Sequence, residues 1–280
     1  MLRPSVTNEC SIFSLLGRES RLGTARHGGP WPGGRRIASP GPLSKVWAVN
    51  VLIGVGAQVK LARLMLVTDT RPASADLESF LEDAVLGGVD LIQIHQPDLD
   101  PVSELAALRT AWDVAARHRH LVVVSDSAEL AADFGADVVH LADAGDAEAL
   151  AAFKARLGRF TRLGATAGSR AELERLLTEP VIDFLLVEAD DGFDLARAAA
   201  ELAPVADLRS TSWYAAGEFD AARLELAIDA GVRRIAVSST LTEADDPRRV
   251  ARELSGRLRE VWATDESLTR LTFQALAEQA

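Results

Sequence analysis

The run Leu121-Val-Val-Val-Ser-Asp-Ser-Ala-Glu-Leu-Ala-Ala-Asp-Phe-Gly-Ala-Asp-Val-Val-His-Leu141 decides the fold. Its ends, Leu121–Ser125 and Val138–Leu141, are aliphatic at nearly every position. Strands that are apolar throughout are covered on both faces, as those of a parallel sheet are. The middle, Ser127–Phe134, has the length and pattern of a short helix, and Gly135 closes it, as glycine commonly does at helix ends. A strand, a helix and a second strand make the crossover unit that parallel pairing requires.

The same unit repeats outward in both directions. Upstream, Leu64–Thr68 reads as a strand, followed by a helix over Asp76–Leu86 that Gly87-Gly88 ends. Leu91–Ile94 is the next strand and Val102–His118 the next helix. Downstream of Leu141 a helix covers Ala147–Leu157. Then strands at Thr161–Ala165, Phe184–Val187, Ser212–Ala215 and Arg234–Val237 alternate with helices at Ser169–Leu177, Asp194–Leu202, Asp220–Asp229 and Pro247–Val261. Eight strand–helix pairs predict a (β/α)8 TIM barrel over residues 61–262. A doubly wound open sheet would have fewer strands and a glycine-rich first turn, where this chain has Val67-Thr-Asp-Thr-Arg-Pro72.

The flanks read differently. Residues 1–60 show no sustained period and include His27-Gly-Gly-Pro-Trp-Pro-Gly-Gly-Arg-Arg36 and Ser39-Pro-Gly-Pro42, which break helix and strand alike. The expectation is a disordered extension, or a segment upstream of the true start. An apolar run from Val46 to Val59 comes too late for a secretory signal. Residues 263–280 are expected to form a short C-terminal helix or tail, packed on the barrel or on a second copy in a homodimer.

Composition limits the partners. The chain has 280 residues, 48% of them hydrophobic, and a net charge of −11. Residues 1–60 hold eight bases against two acids, a balance of +6, so the remainder carries −17. A body that acidic argues against nucleic acid, whose phosphates are held by Lys and Arg. One cysteine, Cys10, permits no intrachain disulfide, and a reducing, cytoplasmic setting is the default. No apolar run approaches the roughly 18 residues of a membrane span.

In a TIM barrel the chemistry lies at the C-terminal ends of the strands. Those positions offer Gln93, His95, Asp126, His140, Asp143 and Thr166, then Glu188, Asp190, Asp191, Gly217, Ser238 and Ser239. The seventh and eighth loops, Ala215-Ala-Gly-Glu218 and Val237-Ser-Ser-Thr240, are small and polar, as the phosphate-binding loops of many barrels are. Gly217, Ser238 and Ser239 are therefore candidates for a phosphate, and a small phosphate ester is the expected ligand. Asp126 and Asp143, on neighbouring loops, are candidates for a hard cation such as Mg2+. Helix capping is the competing role for such acids and suits Asp190 and Asp191 best. His95 is the candidate acid or base, and His140, inside Val138-Val-His-Leu141, the packed histidine.

In order along the chain, Leu64-Met-Leu-Val-Thr-Asp69, Gly87-Gly-Val-Asp-Leu-Ile-Gln93, Ser125-Asp-Ser-Ala-Glu-Leu-Ala131, Gly135-Ala-Asp-Val-Val-His-Leu141, Trp213-Tyr-Ala-Ala-Gly217 and Ala230-Gly-Val-Arg-Arg-Ile-Ala-Val237 resemble the thiamine-phosphate synthase/TenI family. The resemblance implies a transferase of thiamine biosynthesis that joins a pyrimidine diphosphate (HMP-PP) to a thiazole phosphate, releasing pyrophosphate with the help of Mg2+. It carries catalytic roles to Gln93 and Asp126, with His95 at the family's arginine position, substrate contacts to Thr166, Gly217 and Ser239, and Mg2+ to Asp126 with the second carboxylate displaced to Asp143 or Asp146; Ser238 stays a phosphate candidate from its loop. Against the family's pattern, Gln-Leu-Arg-Glu-Lys becomes Gln93-Ile-His-Gln-Pro97. The Thr-Pro-Thr-Lys loop is shortened to Glu188-Ala-Asp-Asp-Gly192, and the Gly-Gly of the seventh loop becomes Gly217-Glu218. The Arg and Lys positions lost are the cations that would neutralise a diphosphate leaving group, and that stabilisation is the main catalytic term in such a displacement. The expectation is inefficient synthase activity. The alternatives are a non-catalytic, ligand-binding or regulatory relative, or a barrel isomerase acting on a small phosphate ester through His95.

Overall fold

The computed structural model describes residues 54–277. Eight parallel strands close into a barrel in chain order: β1 (Leu64–Thr68), β2 (Leu91–Ile94), β3 (Leu121–Ser125), β4 (Val138–Leu141), β5 (Arg162–Ala167), β6 (Phe184–Glu188), β7 (Ser212–Ala216) and β8 (Ile235–Val237). β8 returns to β1 with Leu64 opposite Ile235 and Leu66 opposite Val237. The ring of helices is α2 (Leu77–Gly87), α3 (Pro101–His118), α4 (Ala128–Phe134), α5 (Ala147–Arg156), α6 (Arg170–Leu177), α7 (Asp194–Leu202), α8 (Ala221–Asp229) and α10 (Pro247–Thr264). The barrel and its eight pairs are those expected from the sequence.

Alternation along each strand divides the apolar residues between two cores. Leu64, Leu66, Ile92, Ile94, Val122 and Val124 face the helices. Met65, Val67, Leu91, Val123, Phe184, Leu186, Tyr214 and Ala236 fill the barrel. Helix starts are fixed by side-chain caps from Asp100, Ser127, Asp146, Ser169, Asp220 and Asp246. α2 ends on Gly88 at φ 111°, where a Cβ would strike Ser255 of α10, so both backbone and packing require glycine there.

Three further helices complete the molecule: α1 (Val55–Leu61) before the barrel, α9 (Ser239–Thr242) after β8, and α11 (Glu266–Ala277) at the end. The expected extension over residues 1–60 lies mostly outside the described residues, but its last part is corrected by α1. Val59 and Ala62 join the barrel's internal core. Tyr214 donates its hydroxyl to Val59 O at 2.5 Å, and buried Arg234 donates Nε and Nη2 to Lys60 O at 3.1 and 2.7 Å. Lys60 in turn reaches the carbonyls of Leu208 and Ser210. α1 thus plugs the N-terminal end of the barrel. α11 packs on its own chain, with Leu268 and Leu271 against Trp262. No helix among the described residues is long and apolar enough to cross a membrane.

Candidate active site at the barrel mouth

Above the apolar barrel filling lies a polar layer built from inward-facing strand residues. Gln93 of β2 is fully buried and donates from Nε2 to Ser125 Oγ (2.8 Å) and to His140 Nδ1 (3.2 Å). Ser125 of β3 donates its hydroxyl to Ile94 O at 2.9 Å. This network fixes the tautomer of His140: with Nδ1 accepting, Nε2 carries the proton and donates to Thr166 Oγ1 at 3.1 Å. Burial, helped by the neighbouring His95, holds the His140 pKa down at about 3, so the ring is neutral. His140 is the packed, hydrogen-bonded histidine of the pair, and it orients Gln93 and Thr166.

His95 and Asp126 stand one residue beyond β2 and β3. His95 is 8% exposed, and its Nδ1 lies 3.6 Å from Asp126 Oδ2. Asp126 is not a helix cap, since Ser127 caps α4. Its backbone is left-handed (φ 55°), and its Oδ1 accepts from Ala142 N at 2.7 Å, which ties the third loop to the fourth. Loss of water raises its pKa, opposed by the Ala142 amide and His95 and reinforced by Asp143. Asp143 is exposed and accepts from Gly145 N at 2.9 Å. Burial, and then Glu172, likewise raises Glu188 at the tip of β6. Asp190 caps a turn by accepting from Asp194 N, and Asp69 accepts from Arg71 N.

Gln93 Oε1, His95 Nε2 and Ser238 Oγ are buried without a partner among the described residues, as is Nε of Arg223 at the rim. Buried polar atoms are rarely left unpaired, so a ligand or water is their natural partner. Neither the last residue of any strand nor the residue after it is a lysine or arginine. The rim arginines are engaged elsewhere. Arg71 pairs with Asp76 and reaches Thr242 O, while Arg223 pairs with Asp191 and reaches the carbonyls of Ala189 and Asp190.

The phosphate candidates are placed less simply. Ser238 and Ser239 follow the C-terminal end of β8, at the mouth, but Gly217 N is used in the ladder with Ala236 O. The Ser239 amide is held by Glu218 of the seventh loop. Its contacts run across 21 and 22 residues of chain, so no local pattern signals them. Among the described residues no three His, Cys, Asp or Glu side chains are grouped to hold a metal.

Comparison with known proteins bears on this geometry. A family model described as thiamine monophosphate synthase matches residues 64–241, which is β1 through α9. The chain belongs to the thiamine monophosphate synthase family. Within that family it is 34% identical over 209 residues to a thiamine-phosphate synthase of Streptomyces avermitilis, covering 71% of this chain and 94% of that one. It is 35% identical over 218 residues to a thiamine-phosphate synthase of Mycolicibacterium gilvum, covering 70% and 88%. The solved thiamine phosphate pyrophosphorylase from Pyrococcus furiosus shares the fold, with a TM-score of 0.58 at 21% identity, covering 73% of this chain and 98% of that one. The matched segment contains Gln93, His95, Asp126, His140 and Thr166.

Proposed function

We propose that this barrel is a thiamine-phosphate-synthase/TenI-like protein that takes a small heteroaromatic ligand at its mouth and turns over the family's reaction inefficiently. The observation that carries this is the absence of lysine and arginine from all eight strand tips. Displacement of pyrophosphate from HMP-PP builds negative charge on the leaving group, and only preorganised positive charge or donors stabilise it. Here the mouth offers neutral Gln93 and Thr166, a neutral His140, and the carboxylates Asp126 and Glu188.

Within this reading Gln93 Oε1 and His95 Nε2 supply the unpaired polar atoms that orient the ligand ring. Ser125 and His140 hold Gln93 in place, and Asp126 faces His95. Asp126 and Asp143 each spend one oxygen on a backbone amide, which leaves one apiece. Such a pair fits Mg2+ only when a ligand's phosphate completes the oxygen shell, as is usual for this ion. Bound there, Mg2+ would neutralise phosphate charge.

The test is pyrophosphate release from HMP-PP and thiazole phosphate in the presence of Mg2+, with the Streptomyces avermitilis relative as reference. Turnover is expected at least about 100-fold below the reference, the scale of losing one preorganised charge contact. Turnover equal to the reference would overturn the reading. Binding of thiazole phosphate without any turnover would favour a non-catalytic, regulatory relative, the reading that the lost cations also suit.

A further inference from the structure

The seventh and eighth loops of a TIM barrel, with the N-terminus of a short extra helix, commonly form a seat for phosphate. The parts of that seat are present: β7 runs into Gly217, and β8 runs through Ser238 into α9. The first amides of a helix have no partner inside it and attract anions. Here those amides are already taken. Glu218 Oε1 accepts from Ser239 N at 3.2 Å, and Glu218 Oε2 accepts from Thr240 N at 2.5 Å and from Thr240 Oγ1 at 2.6 Å. Thr240 Oγ1 also accepts from Phe219 N at 3.0 Å, so its proton and one lone pair are committed. At the end of β8, just before α9, Ser238 Oγ is buried without a partner among the described residues. Alternation along β8 turns Ser238 to the same side as Ala236, which faces the barrel interior.

We infer that Glu218 is a built-in occupant of the phosphate seat, a selectivity residue that disfavours phosphorylated ligands relative to their alcohols. Each amide has one hydrogen, so a phosphate oxygen and the Glu218 carboxylate cannot both hold it. A phosphate that displaced Glu218 without removing it from the loop would also face its negative charge at short range. The neutral alcohol form of the same ligand meets neither penalty, and Ser238 Oγ remains to receive it. The thiazole arm of the test below rests on the function proposed above, whereas its inorganic phosphate arm does not.

The experiment compares wild type, E218A and E218Q by calorimetric titration with inorganic phosphate, thiazole phosphate and the thiazole alcohol. Folding of each variant is checked by circular dichroism. E218A is expected to bind both phosphates at least about tenfold more tightly than wild type, with alcohol affinity within about threefold. E218Q, which removes the charge but keeps an acceptor for one amide, is expected to fall between them and carries the test if E218A does not fold. Wild type that binds inorganic phosphate as tightly as the folded variants would overturn the inference. If neither thiazole ligand binds any variant while E218A gains inorganic phosphate, the thiazole reading fails and the role of Glu218 stands.

Discussion

Asp126 joins structure and chemistry in one side chain. Its left-handed backbone is one that aspartate tolerates better than most residues, and its Oδ1 braces Ala142 while Oδ2 faces His95. D126A should abolish or weaken ligand and Mg2+ binding while costing about 1–2 kcal/mol of stability, because the Ala142 amide loses its acceptor. The barrel should remain folded. A variant that melted lower yet bound normally would reduce Asp126 to a loop brace. His140 makes a pH prediction of opposite flavour to the carboxylates. Its folded pKa, about 3, lies below its unfolded value, so stability is full above the ordinary histidine pKa. It is lost as pH falls from about 6.5 toward 3, when the unfolded chain takes a proton that the native ring refuses. H140Q should flatten that part of the stability curve in urea titrations, and an unchanged slope would contradict the buried neutral ring. Glu188 is raised by burial, so ionising it weakens the fold as pH rises past the ordinary carboxylate range. E188Q should therefore melt higher than wild type at pH 7, with the gap closing near pH 4.

At the scale of elements, α1 shows how a helix too short to stand alone is held by its neighbours. Seven residues form too little helix to be stable in isolation. Its end is fixed instead by hydrogen bonds from Tyr214 and Arg234 to the carbonyls of Val59 and Lys60. Y214F should lower stability by about 1 kcal/mol, and R234M by about 1–3 kcal/mol because two charged donors to the part-buried Lys60 carbonyl are lost. Equilibrium urea denaturation checks both, and unchanged midpoints would mean that apolar contacts of Val59 and Ala62 alone seat the plug. α9 is the same lesson at the other end of the barrel. Its four residues are capped by Glu218 from the loop after β7.

For the whole molecule, closure of the ring sets the interior volume. Phe184 spans the barrel between His140 and Tyr214, with ring centroids 6.1 and 6.2 Å away. It does so because Gly164 on β5 has no side chain: a Cβ there would strike Phe184 Cζ. G164A should cost about 1–3 kcal/mol through overpacking, read as a lower melting temperature, while the double variant G164A/F184L should recover part of it. A neutral G164A would mean that the interior has slack. The polar layer above Phe184 rests on that packing, so loss of ligand affinity should accompany loss of stability in G164A.

The strand–helix rhythm, the closing glycines and the eightfold count were legible in the chain because burial on both faces and helix capping leave local marks, as at Leu121–Ser125 and Gly135. Those marks also placed Gln93, His95, Asp126 and Thr166 at one end of the barrel, since strand direction alone puts them there. Helix α1 left no such mark, because its partners Tyr214 and Arg234 lie more than 150 residues away. Nor did the chain reveal that Asp126 braces Ala142, that His140 is locked neutral, or that Glu218 sits on the amides of Ser239 and Thr240. Periodicity reports which face of an element is buried. Which donor meets which acceptor across a closed ring is decided only when distant loops are brought within 3 Å of each other, where hydrogen bonds form.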